Sequence, residues 1–239
     1  MPWPLVARRA LDRVVDTLES PVAGVALIGN EGVGKSTLAG QAAARLGRGE
    51  PLWVVGTLAQ SSIPFGAFGG LLDFHDVGKP AAMIAAAADA ILSGGDSPII
   101  VDNARLLDPL SASLVYRLAQ RGGRPLIVTV RSVLRVPQVV AALWDDGLLE
   151  RVEIIPLDSA ETEALVAAAG GGDTAALYRR SAGNPLHLRL LMATGGTEET
   201  LPAAIDRYLG GLSAQVRAVL GYLCVFEPLS RADLVALTD

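Results

Sequence analysis

A glycine-rich segment, GNEGVGKST at residues 29–37, has the composition and spacing to bind a polyphosphate. Gly29, Gly34, Lys35 and Ser36 match the Gly-x4-Gly-Lys-Ser pattern of a P-loop. Glycines let backbone N–H groups turn inward as an anion-binding nest, and a following helix would present its positive end to the phosphates. We therefore predict an ATP or ADP site formed by Asn30, Glu31, Gly32, Val33, Gly34, Lys35, Ser36 and Thr37.

The last polar side chains of this loop have separate predicted roles. Lys35 would contact the β and γ phosphates as a catalytic residue, and Ser36 would supply a hydroxyl to Mg²⁺. Lys35 and Lys79 are the only lysines among the 20 lysine and arginine residues of the chain. A sequence that uses arginine for nearly every cation retains lysine where a compact ammonium must reach between phosphate oxygens.

An acidic residue, Asp102, follows the apolar run at residues 99–101. An acid at the tip of a buried strand beside a P-loop is placed to hold Mg²⁺, directly or through water. The alternative is that Asp102 is an ordinary helix cap or turn residue. Ser36 and Asp102 are thus the predicted metal-binding pair.

Asn103 limits the chemistry that we expect. Many hydrolytic P-loop proteins place a carboxylate near this point to deprotonate the attacking water, whereas an amide positions water but cannot accept its proton. Glu31 and Asp108 are the nearest carboxylates in sequence, and neither is clearly placed for this work. We therefore expect slow hydrolysis. The alternative is that Asn103 is a turn residue with no catalytic role.

Arg131 follows the predicted strand at residues 126–130. In a parallel sheet this position lies near the γ-phosphate, where a cation can sense whether that phosphate is present. Thr129 alternates in phase with Arg131 and is the lesser candidate. The alternative for Arg131 is a solvated surface side chain.

Short apolar runs alternate with helical patterns over the first two thirds of the chain, which indicates a parallel α/β sheet covered on both faces. Ligands of such sheets bind at the carboxyl ends of the strands. The predicted strands are 22–28, 52–55, 98–101, 126–130 and 152–155, and the helices are 6–18, 36–46, 81–92, 110–119 and 137–143. Beyond Pro156 we predict only helices, at 159–168, 174–181, 186–192, 203–209, 212–225 and 230–237.

Composition narrows the class of protein. Hydrophobic residues make up 51% of the 239 residues, enough for a large core, and no apolar run reaches membrane-spanning length. The net charge of −5 argues against nucleic-acid binding by this segment itself. The single cysteine, Cys224, excludes an internal disulfide, and no signal-peptide pattern is present. We therefore expect a cytoplasmic protein without a membrane partner.

Several segments together resemble the ATPase module of the large ATP-binding LuxR-type transcriptional regulators. These proteins belong to the STAND class of signalling NTPases, which is NACHT-like and related to AAA+ proteins. The similar segments are LVAR at 5–8, IPFG at 63–66 with LL at 71–72, VDNARLLD at 101–108, DGLL at 146–149, PL at 156–157 and SAGNPL at 181–186. Asn103 and Arg105 depart from the family pattern, which usually has an acid and a histidine there.

This resemblance implies an architecture and further site residues. It implies the strand order 2-3-4-1-5, with Val6 and Arg8 beside the adenine and Pro185 packing on the adenine from a helical lid. It also implies a P-loop nucleotide-binding domain at 1–157, the lid at 158–198, and the beginning of a winged-helix domain, cut short, at 199–239. DNA would be bound only by a C-terminal domain that is absent from this chain.

The resemblance implies a signal-transduction switch that binds ATP or ADP, hydrolyses ATP slowly or not at all, and self-associates with ATP. The rival prediction is an actively hydrolysing P-loop enzyme, either an AAA+-type ATPase or a kinase. A kinase would need an acceptor pocket, for which the sequence shows no second motif. An ATPase motor would need an arginine finger, for which Arg117, Arg121 and Arg124 are candidates.

Overall fold

The computed structural model describes residues 3–6, 8–20, 24–71, 79–132, 136–193 and 209–226. These residues form two compact units. The sheet unit comprises the described residues of Arg9–Asn30 and Lys35–Ile154, and the helical unit comprises those of Met1–Arg8, Glu31–Gly34 and Ile155–Asp239. The division between the units after Ile154 lies close to the predicted domain boundary at 157. Residues Glu31–Gly34 of the P-loop, however, belong to the helical unit.

The sheet unit is built on five parallel strands in the order β2-β3-β4-β1-β5, which confirms the expected order. The three central strands consist almost wholly of buried residues, as their apolar sequences predict. The parallel arrangement brings the ends of β1, β3 and β4 to one edge of the sheet. The strands are β1 (Gly24–Gly29), β2 (Leu52–Val55), β3 (Ile99–Asp102), β4 (Leu126–Arg131) and β5 (Glu150–Glu153).

The prediction for the fifth strand was wrong in position and in character. The strand is Glu150–Glu153 rather than 152–155, and only Val152 is buried among its residues. It pairs with β1 alone, so it is an edge strand whose sequence need not be uniformly apolar. The opposite edge strand, β2, likewise buries only Val54.

Five helices accompany the strands in the sheet unit. Apolar residues of the sheet pack with α3, α4 and α5 in a shared core that includes Ile99, Val101, Leu114, Val128 and Leu143. The first helix begins three residues later than predicted, and the other four agree with their predictions within two residues. The helices are α1 (Arg9–Glu19), α2 (Lys35–Leu46), α3 (Pro80–Ser93), α4 (Pro109–Arg121) and α5 (Gln138–Asp145).

The helical unit contains three consecutive short helices and one later helix. Its apolar cluster comprises Leu157, Leu165, Val166, Leu177, Leu188 and Leu191. The helices are α6 (Ser159–Ala168), α7 (Thr174–Ser181), α8 (Pro185–Ala193) and α9 (Ala214–Phe226). The boundary at 198–199, the helix at 230–237 and nearly all of the helix at 203–209 lie outside the described residues, so the winged-helix domain stays a prediction. None of the helices in the described ranges is long and apolar enough to cross a membrane.

Asp108 joins two segments of the sheet unit through buried hydrogen bonds. Its side chain is 2% exposed and caps α4, with Oδ1 accepting from the N–H groups of Leu110 at 3.0 Å and Ser111 at 3.1 Å. Oδ1 also accepts from Phe65 N–H, and Oδ2 accepts from Gly66 N–H. A carboxylate that fixes four backbone donors has a structural role, which removes Asp108 from the candidates for a hydrolytic base.

Replacing Asp108 should destabilise the fold in proportion to the donors left without an acceptor. Asp108→Ala leaves four N–H groups unpaired and should lower the free energy of unfolding by about 3 kcal/mol. Asp108→Asn keeps the Oδ1 acceptor and should cost only about 1 kcal/mol. Urea unfolding measures both values, and equal losses in the two variants would contradict this account.

Candidate phosphate-binding site

The P-loop, residues 29–37, connects β1 to α2 and has the backbone conformation that its glycines allow. Gly32 has φ +75° and Gly34 has φ +92°, in the region that favours glycine. A Cβ atom at Gly32 would lie 2.7 Å from Asn184 Oδ1 and 2.8 Å from Leu186 Cβ. Gly32 is therefore favoured both by its φ angle and by the lack of space around it, although it occupies a variable position of the motif.

Lys35 is the first residue of α2, and its side chain folds back over the start of the P-loop. The residue is 9% exposed, and its Nζ donates to the carbonyl oxygens of Gly29 at 2.9 Å and Asn30 at 2.7 Å. This places the ammonium group at the carboxyl end of β1. The position agrees with the predicted contact of Lys35 with phosphate oxygens.

Ser36 and Asp102, the predicted metal-binding pair, are in direct contact. The Ser36 hydroxyl lies 2.8 Å from Oδ1 and 2.9 Å from Oδ2 of Asp102 and donates to this carboxylate. The hydroxyl comes from the start of α2 and the carboxylate from the end of β3. Two oxygen ligands of this kind, brought together from separate elements, are suited to a hard divalent cation.

Thr129, the lesser candidate in the sequence, orients Asp102. Its side chain is 1% exposed within β4, and its hydroxyl donates to Asp102 Oδ1. The Thr129 hydroxyl oxygen in turn accepts a 2.9 Å hydrogen bond from the backbone N–H of Asn103. The sequence signal for this role is a single hydroxyl in an otherwise apolar strand.

Asn103 adopts a left-handed conformation, with φ 56° and ψ 44°, which asparagine tolerates better than most residues. Its Nδ2 donates to the carbonyl oxygen of Gly56 at 3.2 Å. A Cβ at Gly56 would lie 2.6 Å from the Asn103 carbonyl oxygen, so this glycine permits the close approach. Among the described residues Asn103 Oδ1 is buried and has no hydrogen-bond partner. The catalytic role of Asn103 stays a prediction.

The end of β4 lies beside the start of the P-loop. Arg131 is in register with Gly29, the first residue of the loop. The next residue, Ser132, donates from its hydroxyl to Asn30 Oδ1 at 2.6 Å and from its N–H to the Gly29 carbonyl at 3.2 Å. This position suits the predicted sensing role of Arg131, and Ser132 is a contact that the sequence alone did not indicate.

In the helical unit, Arg8 and Asn184 contact P-loop residues. Arg8 Nη1 donates to the Val33 carbonyl and Asn184 Nδ2 donates to the Glu31 carbonyl. Val6 packs against the apolar cluster of this unit, and Pro185 is the first residue of α8. The adenine contacts of Val6, Arg8 and Pro185 remain predictions. Asn184 was not among the predicted site residues.

The donor set fits a magnesium–nucleotide complex better than a metal held by protein alone. No group of three or more His, Cys, Asp or Glu side chains suited to a metal occurs in the described part of the chain. Mg²⁺ is commonly bound by one or two protein oxygens together with phosphates of the nucleotide. Ser36 and Asp102 would hold the cation, and the bound cation would neutralise phosphate charge.

Comparison with known proteins supports the fold. No protein-family model matches the sequence, and no curated protein matches it. The Orc1 protein of Aeropyrum pernix, solved in complex with DNA, is similar in structure, with a TM-score of 0.57 and 18% identity over 98% of this chain and 77% of that chain. The Walker-type ATPase paby2304 of Pyrococcus abyssi has a TM-score of 0.55 and 14% identity over 98% of this chain and 88% of its own. At these identities the likeness shows a shared fold, that of a P-loop ATPase.

Removing the Thr129 hydroxyl should weaken magnesium-dependent nucleotide binding. Thr129→Val leaves Asp102 Oδ1 without one donor and the half-buried Asn103 N–H without its acceptor, so the affinity for Mg-ADP should fall about fivefold. Thr129→Ser retains the hydroxyl and should bind nearly as the wild type does. The measurement is a titration with ADP in Mg²⁺ and in EDTA; a loss of equal size in both buffers would contradict a role through the metal.

Proposed function

We propose that this chain binds ATP or ADP with Mg²⁺ and acts as a nucleotide-gated switch in which hydrolysis is slow or absent. The observation that carries the proposal is the cluster at the carboxyl ends of β1, β3 and β4. There the Lys35 ammonium donates to the carbonyl oxygens of residues 29 and 30, and the Ser36 hydroxyl donates to the Asp102 carboxylate. A cation for phosphate and two oxygens for Mg²⁺ are the groups that nucleotide binding requires.

Slow hydrolysis follows from the groups that surround Asp102. Asn103 is an amide and cannot take a proton from water, and Asp108 is committed to four backbone donors. Asp102 itself accepts from Ser36 and Thr129 and is the predicted magnesium ligand. Among the described residues, Asn103, Asp108 and Asp102 are therefore each unsuited to act as the general base for water.

A switch needs two conformations with different affinities for the nucleotide, because equal binding to both shifts no population. ADP would stabilise a closed resting state and ATP an open one that self-associates, as the resemblance to LuxR-type STAND regulators implies. The adenine contact of Pro185 would supply part of the difference. DNA recognition would belong to a further domain, since the net charge of −5 does not favour binding to a phosphate backbone.

The alternative is an actively hydrolysing AAA+-type ATPase, and two of its three candidate finger residues are engaged within the sheet unit. Arg124 is 8% exposed and donates to the carbonyl oxygens of Ile91 and Ser97. Arg121 forms an ion pair with Asp89. Arg117, on an exposed position of α4, stays the candidate that this alternative would use.

The two lysines provide a matched test of nucleotide binding. Lys35→Ala removes the ammonium group at the P-loop and should weaken Mg-ADP binding about 100-fold, in keeping with the loss of charge-assisted hydrogen bonds. Lys79→Ala removes the same charge from an exposed position before α3 and should leave the affinity unchanged. Displacement of a fluorescent ADP analogue measures both; equal affinities for the two variants would contradict the site.

Steady-state turnover distinguishes the switch from the active ATPase. The wild-type chain with Mg-ATP should release phosphate at least tenfold more slowly than the roughly 10 s⁻¹ of a typical enzyme, since neither Asn103 nor Asp108 can act as the general base. The Lys35→Ala variant provides the background rate. Sustained turnover of about 1–10 s⁻¹ above that background would refute the slow switch in favour of the alternative.

A further inference from the structure

Three successive carbonyl groups of the P-loop are hydrogen-bonded within the helical unit. Asn184 Nδ2 donates to the Glu31 carbonyl at 2.8 Å, and Arg8 Nη1 donates to the Val33 carbonyl at 2.6 Å. Between them, the N–H of Leu186 lies 3.3 Å from the Gly32 carbonyl. The carbonyl oxygen of each of the three peptide bonds between residues 31 and 34 therefore accepts a hydrogen bond.

Holding these oxygens determines where the neighbouring amides point. In a trans peptide the C=O of one residue and the N–H of the next point in opposite directions. Fixing the carbonyls of Glu31, Gly32 and Val33 on one side therefore directs the N–H groups of residues 32, 33 and 34 to the other. These amides belong to the nest that binds phosphate in a P-loop.

Asn184 is itself held firmly by the start of α8. It is 9% exposed, and its Oδ1 accepts from the N–H groups of Leu186 at 3.0 Å and His187 at 3.3 Å. The preceding Gly183 has φ +70°, and a Cβ there would lie 2.2 Å from the Leu157 carbonyl oxygen. The Oδ1 atom of Asn184 thus caps α8, and its Nδ2 atom donates to the P-loop.

Arg8 is buried, and both of its terminal guanidinium nitrogens donate hydrogen bonds. It is 9% exposed, and its Nη2 donates to the Ile155 carbonyl at 2.6 Å while Nη1 bonds to Val33. Desolvation by burial lowers the pKa of the guanidinium, and the charge of Glu161 acts in the opposite direction. The planar guanidinium bridges two backbone oxygens that are far apart in sequence, which a lysine could not do in the same way.

We propose that Asn184 and Arg8 are positioning residues that aim the P-loop amides at the phosphates, so that the conformation of the helical unit sets phosphate affinity. This inference rests on the proposed nucleotide binding. Because coupling is reciprocal, phosphate binding stabilises the Asn184 and Arg8 hydrogen bonds by the same factor. The two residues thereby link the nucleotide to the unit that would transmit the signal.

Two conservative variants test the proposal. Asn184→Ser retains a helix-capping oxygen but loses the donor that reaches Glu31, and Arg8→Lys retains the charge but loses the two-oxygen bridge. Each should bind Mg-ADP and Mg-pyrophosphate about fivefold more weakly than the wild type, by a similar factor for both ligands. Pyrophosphate carries no adenine, so it reports on the phosphate nest alone.

Asp173→Ala is the control variant for altered capping. Asp173 caps α7 in the same unit by accepting from Ala176 N–H, and the variant should bind both ligands as the wild type does. Circular dichroism of each variant reports folding, and if Asn184→Ser unfolds, Arg8→Lys decides the outcome. The inference would be overturned if the folded variants bound both ligands as the wild type does. It would also be overturned if they bound Mg-ADP more weakly but pyrophosphate equally well. Either result would leave nucleotide binding intact. A wild-type chain that binds neither ligand would remove the proposed function as well.

Discussion

A P-loop presents its backbone N–H groups to an anion when the carbonyl oxygens of the same peptides point the other way. In this chain the partners of Glu31, Gly32 and Val33 come from Asn184, Leu186 and Arg8. The glycines at 32 and 34 supply the φ angles, and the partners select this conformation. In the proposed switch, phosphate affinity and its regulation would both depend on these hydrogen bonds.

The sheet provides the groups that a polyphosphate and its cation need. Parallel strand order places the ends of β1, β3 and β4 at one edge, so residues far apart in sequence meet there. The hydroxyl groups of Thr129 and Ser36 both donate to the Asp102 carboxylate, and the Ser132 hydroxyl donates to Asn30 Oδ1. The Thr129 bond joins β4 to β3, the Ser36 bond joins α2 to β3, and the Ser132 bond joins the residues that follow β4 and β1.

The sequence predicted the features that depend on local spacing and failed where distant segments combine. Lys35, Ser36 and Asp102 were predicted because their motif and strand positions are explicit in the chain, and the family resemblance supplied the strand order. The role of Asn184 depends on a contact across 153 positions, which no local pattern reveals. Asp108 was weighed as a base because the donors of residues 65 and 66, which occupy it, come from a distant loop.

Calorimetric titration of the folded chain with Mg-ADP and Mg-ATP measures whether it binds nucleotide at all. We expect a saturable heat of association at one site per chain for both nucleotides. No heat of binding from a correctly folded sample, confirmed by a cooperative unfolding transition, would contradict nucleotide binding and with it the switch.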